Sequence, residues 1–255
     1  MTLPLALLLL AIAGFLIWWL IFETEGVYLG KRAVIALYDL YAHRYDRIKQ
    51  FDETADLALI AQPLLERISP QRDPLILDVA TGTARLPLVL ARFARFDGHV
   101  IGVDASRRML AKAQEKIVND HFEPFVTLMR QDASALPFDD SCFDVVTCVE
   151  ALEFMPCPKQ ALAEMTRVLR PGGLLLTTIR IDTRWMPDRT WSEERMRAEL
   201  KALNMRDIDV MIWQEDYSQV WAWKAGDSTA LGRAQLESAL GSASQVPITY
   251  AESVC

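Results

Sequence analysis

Three times between residues 74 and 133 a short aliphatic run closes on an aspartate: "LILD" on Asp78, "HVIGVD" on Asp104 and "FVTLMRQD" on Asp132. Helix-patterned segments join the first run to the second and the second to the third. This alternation leaves few folds open, because parallel neighbours need a crossover between them, usually a helix. Strands are predicted over 74–79, 99–104, 125–129, 143–149 and 173–180, with helices near 85–96, 106–119 and 158–169. A further helix over 192–205 starts at Ser192, a residue type that caps free backbone N–H groups. "IDVMIW" and "SQVWAWK" then follow, separated only by "QEDY". That gap is too short for a crossover, so the last two strands are expected to form an antiparallel hairpin. The expected fold class is α/β: a Rossmann-like seven-stranded sheet, mostly parallel, with helices on both faces.

Leu3 to Phe22 carries no charge and is long enough to span a bilayer core as a helix. A cleaved signal peptide has a shorter apolar region, about 7–15 residues, behind a basic start. Neither feature is present, so an uncleaved anchor is expected. Lys31 and Arg32 follow the span and no cation precedes it, which places the C-terminal side in the cytoplasm by the positive-inside rule. The organisation expected for the 255 residues is therefore a transmembrane anchor over 1–22 and a juxtamembrane or cap helix over 23–52. The α/β domain fills 53–225, and a Ser-, Ala- and Gly-rich flexible tail fills 226–255. Helices are predicted over 33–49 and 53–68, with "SPQRDP" as the stop.

The formal charge of −7, with 27 basic residues scattered singly or in pairs, argues against nucleic-acid binding. The four cysteines form no C-x-x-C pair and no zinc spacing, and no disulfide framework is expected.

The chemistry concentrates at the ends of the first strands. In an open parallel sheet, ligands bind beyond the carboxyl ends of the strands, where the strand order switches. After Asp78, the run Ala80-Thr81-Gly82-Thr83-Ala84 has little bulk, so a ligand can meet backbone N–H groups there. A tight strand-to-helix turn would call for the same residues. Asp104 lies roughly 20 residues on, where a carboxylate can accept both hydroxyls of a ribose; it can also serve only as a helix cap. Three parallel strands ending in Asp crowd like charges at one sheet edge, which a ligand or hydrogen-bond donors must offset.

In these residues the sequence resembles the class I S-adenosylmethionine-dependent methyltransferases, particularly those acting on small molecules, quinones or lipids. "LDVATGTAR" resembles their first motif and "VDASRRMLAKA" the second. "RQDASALPFDDSCFDVV" resembles the third and fourth, "ALAEMTRVLRPGGLLL" the approach to the fifth strand, and "WQEDYSQVWAWK" the closing hairpin. The resemblance covers about residues 36–225 and implies S-adenosylmethionine as cofactor. It implies that Asp78 orients the methionine amino group and that Ala80, Thr81, Gly82 and Thr83 line the methionine and ribose. Asp104 would hold the ribose hydroxyls, with Ala105 beside it, and Met109 would cover the adenine. Asp132 and Ala133 would bind the adenine edge, Tyr45 would close over the cofactor, and Cys148 would complete the lining. Tyr45 can equally pack its helix onto the sheet, and Cys148 can be a small buried hydrophobe.

Two glycines of the first motif are replaced, by Ala80 and Ala84, a change tolerated if φ stays negative. "VEALEFM" resembles a stretch where quinone-type members carry two acids and a histidine. Glu150 and Glu153 match, but Phe154 stands in the histidine position, so no metal site is expected. Glu150 and Glu153 remain candidate bases, since a carboxylate in an apolar pocket has a raised pKa; a capping Glu150 and a solvent-facing Glu153 are the plain alternative. Of the three histidines, His43 could reach an acceptor.

The expected function is methyl transfer to a small, lipophilic or membrane-associated acceptor, with O-, N-, S- and C-methylation all open. A non-catalytic membrane protein of this fold is one alternative. A nicotinamide-dependent oxidoreductase is another, but it would prefer G-x-G-x-x-G where "ATGTAR" supplies one glycine.

Overall fold

The computed structural model describes residues 2–71, 73–181 and 186–226. Seven strands form one sheet: β1 (Leu75–Val79), β2 (His99–Asp104), β3 (Val126–Arg130), β4 (Phe143–Cys148), β5 (Leu169–Arg180), β6 (Met205–Ile212) and β7 (Tyr217–Lys224). Their order is β3-β2-β1-β4-β5-β7-β6, and β7 alone runs antiparallel to its neighbours. The order reverses between β1 and β4, which opens a crevice at the carboxyl edge.

The alternation of side chains explains why β1 must lie at the centre. Leu75, Leu77 and Val79 face one core, which contains Leu162, Met165 and Leu200. Ile76 faces the other, with Ile60, Leu64 and Leu90. Those residues come from α5 (Gln62–Ile68), the turn Leu57–Ala61 before it and α6 (Arg85–Arg92) on one side, and from α8 (Pro158–Val168) and α9 (Glu193–Ala202) on the other. Ser192 caps α9 by accepting from the N–H of Arg195. β5 starts four residues earlier than predicted because "LRPGG" is already extended and Leu169 pairs with Phe143. Gly173 permits this, since a Cβ there would come within 2.9 Å of the Asp144 carbonyl oxygen.

At the N-terminus, α1 (Thr2–Trp18) continues through a wider turn, Trp19–Glu23. From Leu3 to Glu23 it forms one apolar helix of 21 residues, long enough to cross a membrane, and no residue of its most apolar stretch is buried. A sharp turn at Glu25 and Gly26, both with positive φ, redirects the chain into α2 (Lys31–Tyr41). α3 (Tyr45–Lys49) and α4 (Glu53–Asp56) follow, then a wider turn at Leu57–Ala61 leading into α5. The predicted helices over 33–49 and 53–68 are thus each interrupted by a change of helical pitch. A further crossover helix, α7 (Arg107–Asn119), connects β2 to β3. The expected flexible tail lies outside the described residues beyond Gly226. Cys142 and Cys148 are free thiols.

Candidate functional site

The carboxyl edge of β1, β2 and β4 opens into a cleft of about 960 Å³, solvent at its mouth included. Its lining contains Tyr45, Ala80, Gly82, Asp104, Ala105, Asp132, Ala133 and Glu150, eight of the residues singled out in the sequence. Asp78, Thr81 and Thr83 line a narrower crevice that continues from it past Tyr45 and Gly82.

Asp104 is the pivot of the cleft. One carboxylate oxygen accepts from the Gly82 N–H at 2.9 Å and the other from the Ser106 N–H at 2.8 Å. The first two motifs are thereby bonded to each other. These backbone donors, with the Ala105 N–H, still leave lone pairs for further donors such as paired hydroxyls. Burial raises its pKa, and the same backbone donors oppose that rise. Asp78 is 4% exposed and accepts from the Thr147 hydroxyl at 2.7 Å. Burial lifts its pKa to about 6, against the pull of the Thr81 and Thr147 hydroxyls.

The small-residue turn departs from expectation. Ala80 (φ 57°) and Ala84 (φ 63°) both adopt the left-handed conformation, as does Gly82 between them (φ 55°). The replaced glycines therefore keep the glycine backbone, at a steric cost of roughly 1–2 kcal/mol for each alanine.

Four other candidates lie elsewhere. His43 is exposed, with its ring against the Leu40 carbonyl at 3.1 Å, and lines none of these cavities. Met109 and Cys148 are fully buried, in α7 and β4, and line neither cleft nor crevice. Glu153 is buried rather than solvent-facing: it accepts from the Tyr217 hydroxyl, and burial raises its pKa. Glu150 does reach the cleft, but as an ion-paired carboxylate. It accepts from Arg85 at 2.6 Å, from Lys49 at 3.4 Å and from the Gln214 amide at 3.3 Å. So engaged, both of its carboxylate oxygens already have donors.

Several site residues carried no sequence signal. Lys31 of α2 pairs with Asp132, whose pKa falls despite partial burial. Asp39 accepts from the Ser106 hydroxyl and the Arg108 N–H, and Asp46 from the Thr83 hydroxyl and Lys116. Segment 31–49 is thus bonded to the cleft at three motifs, and Val34, Ile35 and Tyr38 form one of its walls. Arg85 follows directly on the small-residue turn. It pairs with the buried Asp56 as well as Glu150 and stacks 4.2 Å from the Phe51 ring. Its place in "TARLP" was the one available hint.

A second chamber of about 1180 Å³ adjoins the cleft and shares Glu150 and Phe154 with it. Phe51, Trp213 and Tyr217 supply aromatic walls, and Phe22, Glu23 and Glu25 bring its lining to the foot of the apolar helix.

A ribose-binding acid, a buried acid behind it, an acid at the third strand and an adjoining chamber, on a sheet with one reversed strand, define a class. Residues 77–177 match a methyltransferase family, the sheet has the fold of S-adenosylmethionine-dependent methyltransferases, and S-adenosylmethionine is the cofactor these residues fit. A family model described as a methyltransferase domain matches residues 77–177. A demethylmenaquinone methyltransferase of Lactiplantibacillus plantarum is 34% identical over 143 residues, 56% of this chain and 60% of that protein. A ubiquinone/menaquinone biosynthesis C-methyltransferase of a Marinomonas species is 30% identical over 145 residues, 57% of this chain and 58% of that protein. The match thus spans about 60% of the length of these relatives. Among solved structures, an S-adenosylmethionine-dependent methyltransferase from Aquifex aeolicus superposes with TM-score 0.57 at 20% identity, over 69% of this chain and 95% of that one. The cyclase SpnF superposes with TM-score 0.65 at 19% identity, over 76% and 96%. Both show the likeness of fold.

Proposed function

We propose that the protein methylates a lipophilic, quinone-type ring acceptor delivered from a membrane, with S-adenosylmethionine as donor. The observation that carries this reading is the adjacency of two spaces: the Asp104 cleft and the chamber that ends at the foot of the apolar helix, which share Glu150 and Phe154 in their walls. The relatives named for quinone methylation support the acceptor class.

The bound cofactor supplies an activated methyl group on a sulfonium. What the chain contributes is position. Asp104 would fix the ribose, Asp78 the amino group and Asp132 the adenine edge. The acceptor must then lie in the adjoining chamber, within about 3–3.5 Å of the methyl and in line with its bond. Glu150 is already engaged by Arg85, so orientation carries the acceleration. The helix Leu3–Glu23 serves as anchor, residues 23–52 as cap and 53–225 as the transferase domain, with Lys31 and Arg32 keeping that domain cytoplasmic.

The test has two stages. Calorimetry with S-adenosylmethionine and, separately, NAD should give heat with the first alone. Radiolabelled methyl transfer to a short-chain demethylmenaquinol in vesicles should then be measured. Binding without transfer to any quinol would assign the chain to the non-catalytic alternative.

A further inference from the structure

Arg180 is the last residue of β5, at the same sheet edge as Asp78 and Asp104. It is 9% exposed, yet among the described residues its one hydrogen bond goes to the sulfur of Met186, at 3.9 Å. Its Nε has no partner. A guanidinium presents five donors in a rigid fork, and taking it out of water without acceptors is costly. The other two cations lining the chamber are already held, Arg85 by Asp56 and Glu150, Lys49 by Glu150. Glu153 acts on Arg180 only through space, because its carboxylate accepts from Tyr217. Arg180 is thus a buried donor set facing a cavity and lacking an oxygen.

The surroundings describe what would supply that oxygen. The rings of Phe154 and Tyr217 lie 6.0 and 5.8 Å from the guanidinium carbon. Trp213 and Phe51 line the same chamber, which suits a flat ring. Phe154 also borders the cofactor cleft, so a ring against it lies between Arg180 and the cofactor side. Glu23, Glu25, Asp52 and Asp216 face the chamber as well, and they disfavour a polyanion such as a phosphate.

We propose that Arg180 binds the acceptor through a single oxygen on its aromatic ring, a phenolic hydroxyl or the oxyanion it forms, and so excludes rings that lack one. The proposal deepens the methyl-transfer reading and rests on it for the role of the chamber. A site built to hydrogen-bond an oxygen rejects the analogue without it, because the buried donors are left unpaired.

The probes are 1-naphthol and naphthalene, which differ by the oxygen alone. Their binding to the full-length chain in lipid nanodiscs is measured by equilibrium dialysis, with empty nanodiscs subtracted. The wild type should prefer 1-naphthol by at least about tenfold, or about 1.4 kcal/mol. Arg180→Met should bring the preference to within about twofold. A wild-type preference under about threefold, or one that survives in Arg180→Met, overturns the proposal. Should Arg180→Met not fold, Arg180→Gln is scored by the same criterion, while the wild-type comparison stands unaffected. No cofactor is needed in this measurement. A chain that selects 1-naphthol through Arg180 but does not bind S-adenosylmethionine would defeat the methyl-transfer reading alone.

Discussion

Asp78 holds two opposed demands in one carboxylate. Burial raises its pKa from 3.8 to about 6, so the acid stays protonated up to a higher pH than a solvated aspartate does. Because the folded value lies above the unfolded one, this group favours folding at low pH. That contribution is lost as pH rises from about 4 through 6, at a cost of roughly 3 kcal/mol. An ammonium group on the ligand needs the ionised form, so affinity for S-adenosylmethionine should run the other way. It should strengthen about tenfold between pH 5 and pH 7, and Asp78→Asn should flatten that profile while stabilising the unliganded protein. Calorimetry at the two pH values decides, and a flat wild-type profile would remove Asp78 from the ammonium's partners. Asp104→Ala should weaken the same affinity at least tenfold, since it removes charge-assisted bonds of about 1.5–3 kcal/mol each. An unchanged constant would leave Asp104 as a cap for the Ser106 turn. Ala84→Gly should raise the melting temperature: it relieves a left-handed alanine, offset only in part by the glycine's greater freedom when unfolded.

At the scale of elements, Arg85 joins pieces that have no other reason to meet. It brings Asp56 at the end of α4 to Glu150 beyond β4, and Asp56 is only 3% exposed. Removing one partner of such a group leaves buried charge uncompensated, so Arg85→Ala should destabilise the fold by about 3–5 kcal/mol. Chemical denaturation measures this, and a loss under about 1 kcal/mol would mean that solvent already screens the cluster. The sheet was legible from the sequence because each strand announces itself locally, by an aliphatic run and an ending acid. Asp104, Gly82 and Asp132 were legible for the same reason, as they sit at strand ends. The pairs Lys31–Asp132 and Lys49–Glu150 were not, since each joins residues 101 positions apart. The left-handed alanines were hidden differently, because side-chain type reports φ only when glycine is present. The bond between Glu153 and Tyr217 was hidden as those two pairs were, since it joins residues 64 positions apart.

Over the whole molecule, the apolar helix is joined to the chemistry by a packed connection with no flexible linker. Trp19 stacks on Tyr28 at 5.2 Å, and the Tyr28 hydroxyl donates to the Pro187 carbonyl at 2.7 Å. Val27 packs with Phe154, which lines both cavities, and the Tyr38 hydroxyl donates to Glu25. A helix whose large side chains stay exposed, Leu3 at 70% and Leu10 at 69%, needs an apolar environment that the domain does not provide. If a bilayer provides it, the chamber beside Phe22 opens at the level of the lipid headgroups, and a lipophilic acceptor can enter without crossing water. Deleting residues 1–18 should then leave S-adenosylmethionine affinity within about twofold, because none of those residues lines the cleft or the chamber. Methylation of a vesicle-borne long-chain quinol should fall at least tenfold, while a short-chain, water-soluble quinol should be methylated as before. The paired rates are the measurement. Equal loss on both substrates would make the helix part of the fold's support, and equal retention on both would separate the anchor from acceptor delivery.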